Sequence, residues 1–302
     1  MKKWIWLIGT LIFLMVIVLL LLLCYGNIFE PSQGLEMWYS QNDGGYVVVG
    51  RGSCKDTDIV IPYECDGVPV VAIGASAFKD NNVITSVRIP NTVSCISDQA
   101  FYNCQKLESV AVPYSVDYIG NAAFADCKSL SSIELPLLLT SISDRTFHGC
   151  ESLTSISIPK SVTEIGEAAF RCCKKLETIK IPDRVTSIGE RAFWDCESLM
   201  SVTLSENLTA IEKDTFVNCK SLESITIPDG VESIGRKAFY GCSNLTRVTI
   251  GNGVTAIGSK AFASCASLIQ VSYTGSRAQW EAVTKEGDWA DLTHFHDVQC
   301  AE

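Results

Sequence analysis

Histidine and charged residues are both scarce in this sequence of 302 residues. It contains only three histidines, and charged residues make up 19% of it against 47% hydrophobic residues. Such a composition excludes an intrinsically disordered chain, which would be poor in hydrophobic residues and rich in charge. The formal net charge is −10. An acidic surface repels phosphate backbones, so no nucleic-acid partner is expected.

The short motifs of common enzymes are also missing. The chain contains no G-x-S-x-G, no H-E-x-x-H and no glycine-rich phosphate loop. His148 stands alone, and the carboxylates are scattered over variable positions. His294 and His296 are spaced to share one face of a strand, as two metal ligands would be, or they are solvated histidines near the chain end. We therefore expect no enzyme activity, no cofactor and no metal site.

The N-terminus carries the one long hydrophobic run of the chain. Lys2 and Lys3 precede Trp4–Tyr25, which contains no charged residue. A bilayer core needs roughly 20 apolar helical residues, whereas a cleaved signal peptide has an apolar region of about 7–15 residues. The run therefore predicts an uncleaved signal anchor that exports the remainder of the chain. The alternatives are a long signal peptide that is removed, or a lipoprotein site at Cys24.

Phenylalanine recurs at a constant interval of 23 residues. Cysteine follows three residues later in all repeats but the first, where Asn81 takes its place. The unit reads A-F-x-x-C-x-x-L-x-x-[IV]-x-[ILV]-P-x-x-[VL]-x-x-I-G. Side chains that recur in this way are expected to form a structural ladder in one shared interior. The ladder residues are Phe78, Phe101, Phe124, Phe147, Phe170, Phe193, Phe216, Phe239 and Phe262, with Cys104, Cys127, Cys150, Cys173, Cys196, Cys219, Cys242 and Cys265.

Each repeat contains the signals of a single solenoid coil. Leu153–Ile158 ends in an alternation of period two, typical of a short strand with one buried face, and Pro159 ends it because proline cannot donate to a strand ladder. Gly166 permits a turn, and Ala169 to Cys173 are expected to fill the interior from a tight helical or 3₁₀ turn. One coil buries too little area to offset its conformational entropy, so the coils must stack.

The repeat resembles the BspA-type leucine-rich repeat, a 23-residue variant found in bacterial surface proteins. The resemblance covers about residues 40–302. It implies a leucine-rich-repeat solenoid of the α/β class, made mostly of short parallel strands with 3₁₀ or helical turns and capped at both ends. With the N-terminal segment added, the predicted fold has one transmembrane helix.

Four regions follow from these observations. They are a signal anchor or transmembrane helix at 1–29, an N-terminal cap at 30–72, about nine coils at 73–272 and a C-terminal cap at 273–302. In the C-terminal cap, Ser276 is expected to N-cap a short helix through Trp280 and Val283.

The cysteines admit several interpretations. Strands in neighbouring coils lie about 4.8 Å apart, whereas a disulfide needs Cβ atoms roughly 3.8 Å apart. The ladder therefore favours small buried thiols packed beside Phe and Leu, and a one-dimensional row offers no converging metal ligands. Cys54 and Cys65 lie outside the ladder and either form a disulfide in an exported chain or stay free. Cys172 is expected to point outward.

Three sets of outward positions are candidate binding surfaces. The first is the Ser- and Thr-rich strand face, which includes Ser155, Ser157, Thr178 and Lys180. The second is an apolar patch that replaces the polar residues usual after the strand proline; its alternative is that the leucines turn inward or cover a cap. The patch comprises Tyr114, Tyr118, Leu137 and Leu138. The third set comprises Tyr102, Trp194 and Tyr240, which directly follow ladder phenylalanines and either bind a partner or shield the turns.

The N-terminal segment predicts a membrane-anchored protein with an extracellular repeat domain, and the resemblance implies that this domain acts in recognition or adhesion at the cell surface. Its partner would then be an extracellular protein or a host or matrix ligand, and the membrane would be reached through the N-terminal helix. Two alternatives remain from the residues themselves. One is a carbohydrate or cell-wall binder that uses the strand face, and the other is a structural assembly partner.

Overall fold

A computed structural model describes residues 30–291 and 297–301 of the chain. Nearly all of them belong to one compact unit, Ser32–Glu302; the other unit is Met1–Pro31. The larger unit is a β-solenoid of about 11 turns, in which each 23-residue repeat adds one coil. Almost every regular element is a short strand, because most coils turn a corner after two to four extended residues.

The repeat strands pair with the equivalent strands of neighbouring coils, along the solenoid axis, rather than with the next strand in the sequence. In chain order they are β1 (Glu36–Ser40), β2 (Gly45–Gly50), β3 (Asp58–Val60), β4 (Glu64–Cys65), β5 (Val68–Ile73), β6 (Ser86–Arg88), β7 (Cys95–Ile96), β8 (Ser109–Ala111), β9 (Tyr118–Ile119), β10 (Ser132–Ile133), β11 (Ser141–Ile142), β12 (Glu164–Ile165), β13 (Thr178–Lys180), β14 (Ser187–Ile188), β15 (Ser201–Thr203), β16 (Ala210–Ile211), β17 (Ser224–Ile227), β18 (Ser233–Ile234), β19 (Arg247–Ile250), β20 (Ala256–Ile257), β21 (Gln270–Ser276), β22 (Thr284–Lys285) and β23 (Val298–Ala301).

Two sides of the solenoid consist of these strands. The long-strand face contains the sheets β10-β8-β6-β3, β13-β15 and β17-β19-β21-β23, and its pairs are parallel. The short-strand face contains β1-β2-β5-β7-β9, β11-β12-β14 and β16-β18-β20-β22, with β4 paired to β5. The repeat length sets the register: Val87 lies opposite Val110, which lies opposite Ile133. All three are buried, as the period-two alternation predicts.

The third side of each coil is a series of tight turns, which corrects the predicted helical or 3₁₀ turn. Around Phe101, Gln99 and Asn103 adopt left-handed φ values of 56° and 57°. The N–H groups of Tyr102 and Cys104 donate within the coil, to Gln99 and Phe101. Those of Gln99, Phe101 and Asn103 donate instead to carbonyls of the next coil. In a helix, every such hydrogen bond stays within the helical segment and every φ is negative. Here the N–H groups donate alternately within the coil and to the next coil, so the turn is not helical.

The core is a single column of stacked rings. Consecutive ladder phenylalanines have ring centroids 5.1–5.8 Å apart and interplanar angles of 2–13°. None of the nine is more than 1% exposed. The glycine of the repeat lets the coils approach this closely. A Cβ on Gly166 would lie 2.6 Å from the backbone nitrogen of Asp144 in the preceding coil.

The C-terminal end of the stack is closed by two tryptophans. Trp289 packs edge-on against Phe262, with centroids 6.0 Å apart, and Trp280 packs against Trp289 at 5.9 Å. Trp280 lies on helix α1 (Arg277–Ala282), and its N-cap is Ser276, as predicted. The Ser276 hydroxyl accepts from the N–H of Gln279, and the Gln279 side chain accepts from the N–H of Ser276. This reciprocal pair satisfies two donors that a helix start leaves free.

The predicted transmembrane helix at 1–29 falls on residues that lie outside the described part of the chain. Among the residues that are described, no helix is both long enough and apolar enough to cross a bilayer. The helix α1 has six residues, a length of about 9 Å, against an apolar bilayer core of about 30 Å. The α/β class of the predicted fold is therefore corrected to a β-solenoid, whose described residues contain no membrane-spanning helix, and the signal-anchor prediction is not carried further.

Candidate binding surface

The outward residues of the long-strand face form polar columns along the axis. Between β13 and β15, Thr178 lies opposite Ser201 and Lys180 opposite Thr203, and all four are exposed. Ile179, between the two columns, is buried. Because equivalent residues of neighbouring coils are about 4.8 Å apart, the columns place hydroxyl groups at a regular spacing on this face.

The long-strand face is interrupted at the coil that contains Ser155–Ile158. β10 pairs with β8 but not with this coil, whose strand segment makes one isolated bridge, from Ser155 to Thr178. Ile156 and Ile158 nevertheless stay buried. The coil therefore keeps its inward side chains while its backbone departs from the regular ladder.

A groove of about 1020 Å³ lies over this interruption. Three kinds of side chain line it: apolar residues, of which Leu137 is the exposed one, serine and threonine hydroxyls, and four charged residues on or just after the strands. A smaller depression of about 480 Å³ on the other side of Leu137 includes Glu134. The hydroxyl and charged residues of the groove are Ser155, Ser157, Ser161, Thr178, Lys160, Lys180, Asp183 and Arg184.

The four residues of the predicted apolar patch are all exposed, but Tyr118 lies on the short-strand face, apart from the other three. Tyr114 and Leu137 occupy equivalent positions in neighbouring coils and are 71% and 77% exposed, and Leu138 is 58% exposed. The leucines therefore do not turn inward. Only Leu137 lines the groove. Tyr118 is in β9 on the short-strand face, where its hydroxyl donates to Asp98 at 3.4 Å.

The rings that follow ladder phenylalanines pair with cations on the turn side. Lys79 Nζ lies 5.1 Å from the Tyr102 ring centroid, and the Arg171 guanidinium lies 5.1 Å from that of Trp194. Both pairs join equivalent positions of neighbouring coils. Lys237 lies 5.3 Å from the Tyr240 ring in the same coil. Each contact is a cation–π interaction, so these rings are already partnered within the chain.

The ladder cysteines make a contact that the sequence reasoning missed. Each thiol donates to the carbonyl of the phenylalanine in the preceding coil, as in Cys173 to Phe147 at 3.2 Å, and all eight distances are 3.0–3.2 Å. The first coil has no phenylalanine coil before it. Its Asn81 instead accepts from the N–H groups of Val83 and Ile84, which explains the departure from cysteine there.

Burial makes ionisation unfavourable for most of the ladder thiols. It raises the pKa of six of them above the ordinary value of 9.0, because a thiolate would lose its hydration in the interior. For Cys265 the hydrogen bond with the Cys242 thiol is the larger cause of the raised pKa, and burial is the second. The six are Cys127, Cys150, Cys173, Cys196, Cys219 and Cys242.

The remaining candidate ligands are dispersed. Cys54 and Cys65 are both free thiols, so the disulfide between them is not present. Cys172 is half-buried rather than fully outward. Burial lowers the pKa of His148, Arg171 and Arg145 lower it further, and only Asp126 opposes them. Within the described residues no three His, Cys, Asp or Glu side chains converge as metal ligands would; His294 and His296 lie outside those residues.

Solved structures similar to this chain include bacterial leucine-rich repeat proteins. A leucine-rich repeat protein of T. pallidum is 26% identical, with 87% of this chain and 98% of that chain covered and a TM-score of 0.50. A leucine-rich cell surface protein of Faecalibacterium prausnitzii is also 26% identical, covers 87% and 99%, and has a TM-score of 0.39. A leucine-rich repeat protein of Bacteroides ovatus is 23% identical, covers 92% and 100%, and has a TM-score of 0.39.

No curated protein matches the sequence. A family model, described as the BspA-type leucine-rich repeat region, matches in six copies over residues 71–200 and 164–282. These ranges include all nine ladder phenylalanines and all eight ladder cysteines. The chain therefore belongs to the BspA-type leucine-rich repeat family.

Proposed function

We propose that this protein is a recognition module displayed at the cell surface, and that it binds a protein partner at the groove beside Leu137. The cell-surface part rests on the family to which the chain belongs. The binding part rests on one observation: a leucine that is 77% exposed borders a groove of about 1020 Å³. Exposed apolar side chains at a concave site are typical of partner surfaces.

The composition of the groove favours binding over catalysis. Its lining includes neither histidine nor cysteine, and its one carboxylate is Asp183. General acid–base chemistry needs a positioned pair of titratable groups, and the ladder thiols are held in the core with raised pKa values. Hydroxyls, one exposed leucine and long basic side chains instead provide hydrogen bonds, apolar contact and charge.

The test is a binding assay with matched surface variants of the full-length chain. Leu137→Ser with Leu138→Ser should weaken capture on an array of purified extracellular-matrix proteins by at least tenfold, which is about 1.4 kcal/mol and typical of an apolar anchor. The control is Ile269→Ser, because Ile269 is 66% exposed and does not line the groove. Thermal unfolding should be unchanged in both variants. Equal capture by both would remove this surface as the binding site.

A second candidate function follows from the Ser and Thr columns of the long-strand face. Hydroxyls repeated at the coil spacing could hydrogen-bond a carbohydrate or cell-wall polymer. Retention of the full-length chain on insoluble polysaccharide, with loss of retention after Ser201→Val and Thr203→Val, would favour this alternative. A chain that binds neither proteins nor polysaccharide would favour a role as a structural assembly partner.

A further inference from the structure

The groove collects basic side chains that have no acidic partner. Several cations outside the groove form ion pairs with carboxylates of other coils: Lys174 lies 3.1 Å from Glu151, and Arg191 lies 3.3 Å from Glu167. Lys160, Lys180 and Arg184 are exposed and form no ion pair with any carboxylate of residues 30–291 or 297–301. All three line the groove.

These cations stand out against the charge of the whole molecule. The chain carries a net charge of −10, yet the groove combines three basic groups with one carboxylate, Asp183. The carboxylate of Glu134 lies beyond Leu137, in the adjoining depression. The groove lining therefore carries two more positive than negative groups. A local field of the opposite sign to the rest of the surface selects ligands by charge.

The spacing of the lining residues sets the shape of a ligand. Leu137, Lys160 and Asp183 occupy equivalent positions in three successive coils, 23 residues apart. At about 4.8 Å per coil they span roughly 10 Å, the length of about three residues of extended chain. A linear ligand laid along the axis would meet Leu137 first, Lys160 one coil later, and Asp183 with the nearby Lys180 and Arg184 two coils later.

We infer that the groove binds an extended, acidic protein segment that carries a hydrophobic side chain next to its carboxylates. The inference rests on the proposed function and specifies its partner. The hydrophobic side chain packs against Leu137, and the carboxylates pair with Lys160, Lys180 and Arg184. Serine and threonine hydroxyls on the strand face bond the peptide backbone. An acidic polysaccharide fits less well, because no aromatic ring lines the groove for a sugar face to stack on.

The probe is a short fluorescein-labelled peptide in which Asp alternates with Leu, titrated with the full-length chain in fluorescence anisotropy. The triple variant Lys160→Gln, Lys180→Gln, Arg184→Gln should lose about tenfold in affinity at low salt, because exposed charge pairs each contribute modestly. The wild-type affinity should also fall as salt is added. A matched triple variant, Lys106→Gln, Lys175→Gln, Arg236→Gln, changes the net charge equally, lies outside the groove and should bind as wild type.

Two control peptides complete the test, one with Lys for Asp and one with Ser for Leu. Both should bind at least tenfold more weakly than the probe. Equal losses in the two triple variants, or no loss in the groove variant, would overturn the inference, as would tight binding of polygalacturonate in place of the peptide. The proposed function survives those results if Leu137→Ser with Leu138→Ser still weakens capture of matrix proteins. If it does not, the proposed function itself fails.

Discussion

At the scale of the residue, the ladder cysteines act as hydrogen-bond donors as well as apolar fillers. Each thiol donates to a phenylalanine carbonyl of the preceding coil at 3.0–3.2 Å. A thiolate cannot donate, and it would place its charge against that carbonyl in a dry interior. Folding therefore depends on these groups keeping their protons.

The stability of the protein should fall steeply above pH 9. The pKa values of seven ladder thiols are raised in the folded chain. Their contribution is fully present below the unfolded-state value of 9.0 and is lost as pH rises toward the folded-state values. Between pH 9 and pH 10, ionisation of each thiol in the unfolded chain should lower the free energy of unfolding by about 1 kcal/mol. The measurement is urea unfolding followed by circular dichroism across that range.

Removing thiols provides the control. Cys173→Ala with Cys196→Ala should lower stability at pH 7, because each change deletes a buried atom and a hydrogen bond. Between pH 9 and pH 10, the free energy of unfolding of the same double variant should fall by about 2 kcal/mol less than that of the wild type. A pH dependence identical to wild type would show that the thiols are not the titrating groups.

At the scale of the element, the turn side of each coil is held by residues in an unfavourable backbone region. Ala122, Arg145 and Lys237 have φ values of 52°, 57° and 57°, although the left-handed region costs a residue with a Cβ roughly 1–2 kcal/mol. Hydrogen bonds to the next coil offset that cost. The N–H of Ala122 donates to Asp144 at 2.8 Å. The turn is therefore imposed by stacking rather than by local preference.

Replacing either of two adjacent alanines with glycine should change the stability of the protein in opposite directions. Ala122→Gly should stabilise the chain by about 0.5–1 kcal/mol, because glycine relieves the left-handed strain by more than it costs in unfolded-state entropy. Ala123→Gly should destabilise it by about 1–2 kcal/mol, because Ala123 is fully buried and is not among the left-handed residues. Chemical denaturation of both variants checks the pair. Destabilisation of equal size at both positions would contradict the assigned turn geometry.

The sequence predicted the elements that repeat and missed those set by contact between coils. Strands such as Thr178–Lys180 and the Ser276 helix cap were predicted correctly from alternation and capping chemistry. The turn was predicted as helical because residues such as Arg145 and Lys237 have no preference for left-handed φ. The interruption at Ser155–Ile158 could not be predicted at all, because that segment fits the repeat pattern fully. The groove over this segment therefore could not be predicted from the sequence and was found only in the structure.

At the scale of the whole molecule, stability and binding use different parts of the same repeat. Inward positions hold a continuous column of rings from Phe78 to Phe262, so each coil depends on its neighbours. Outward positions vary without disturbing that column. Leu137, Lys160 and Asp183 occupy one outward position in three coils with three different chemistries. A solenoid can therefore present a specific surface on a uniform core.

Deleting one coil tests the stacking of equivalent turns most directly. A chain lacking 197–219 loses one full period, so Phe193 should stack on Phe239 and the groove coils are untouched. We predict a strand-rich circular dichroism spectrum and a single cooperative urea transition, at lower denaturant than wild type. A chain lacking 197–208 loses half a period, which moves every later inward side chain out of register. It should show neither the strand-rich spectrum nor the single cooperative transition. Equal disruption by the two deletions would contradict the account.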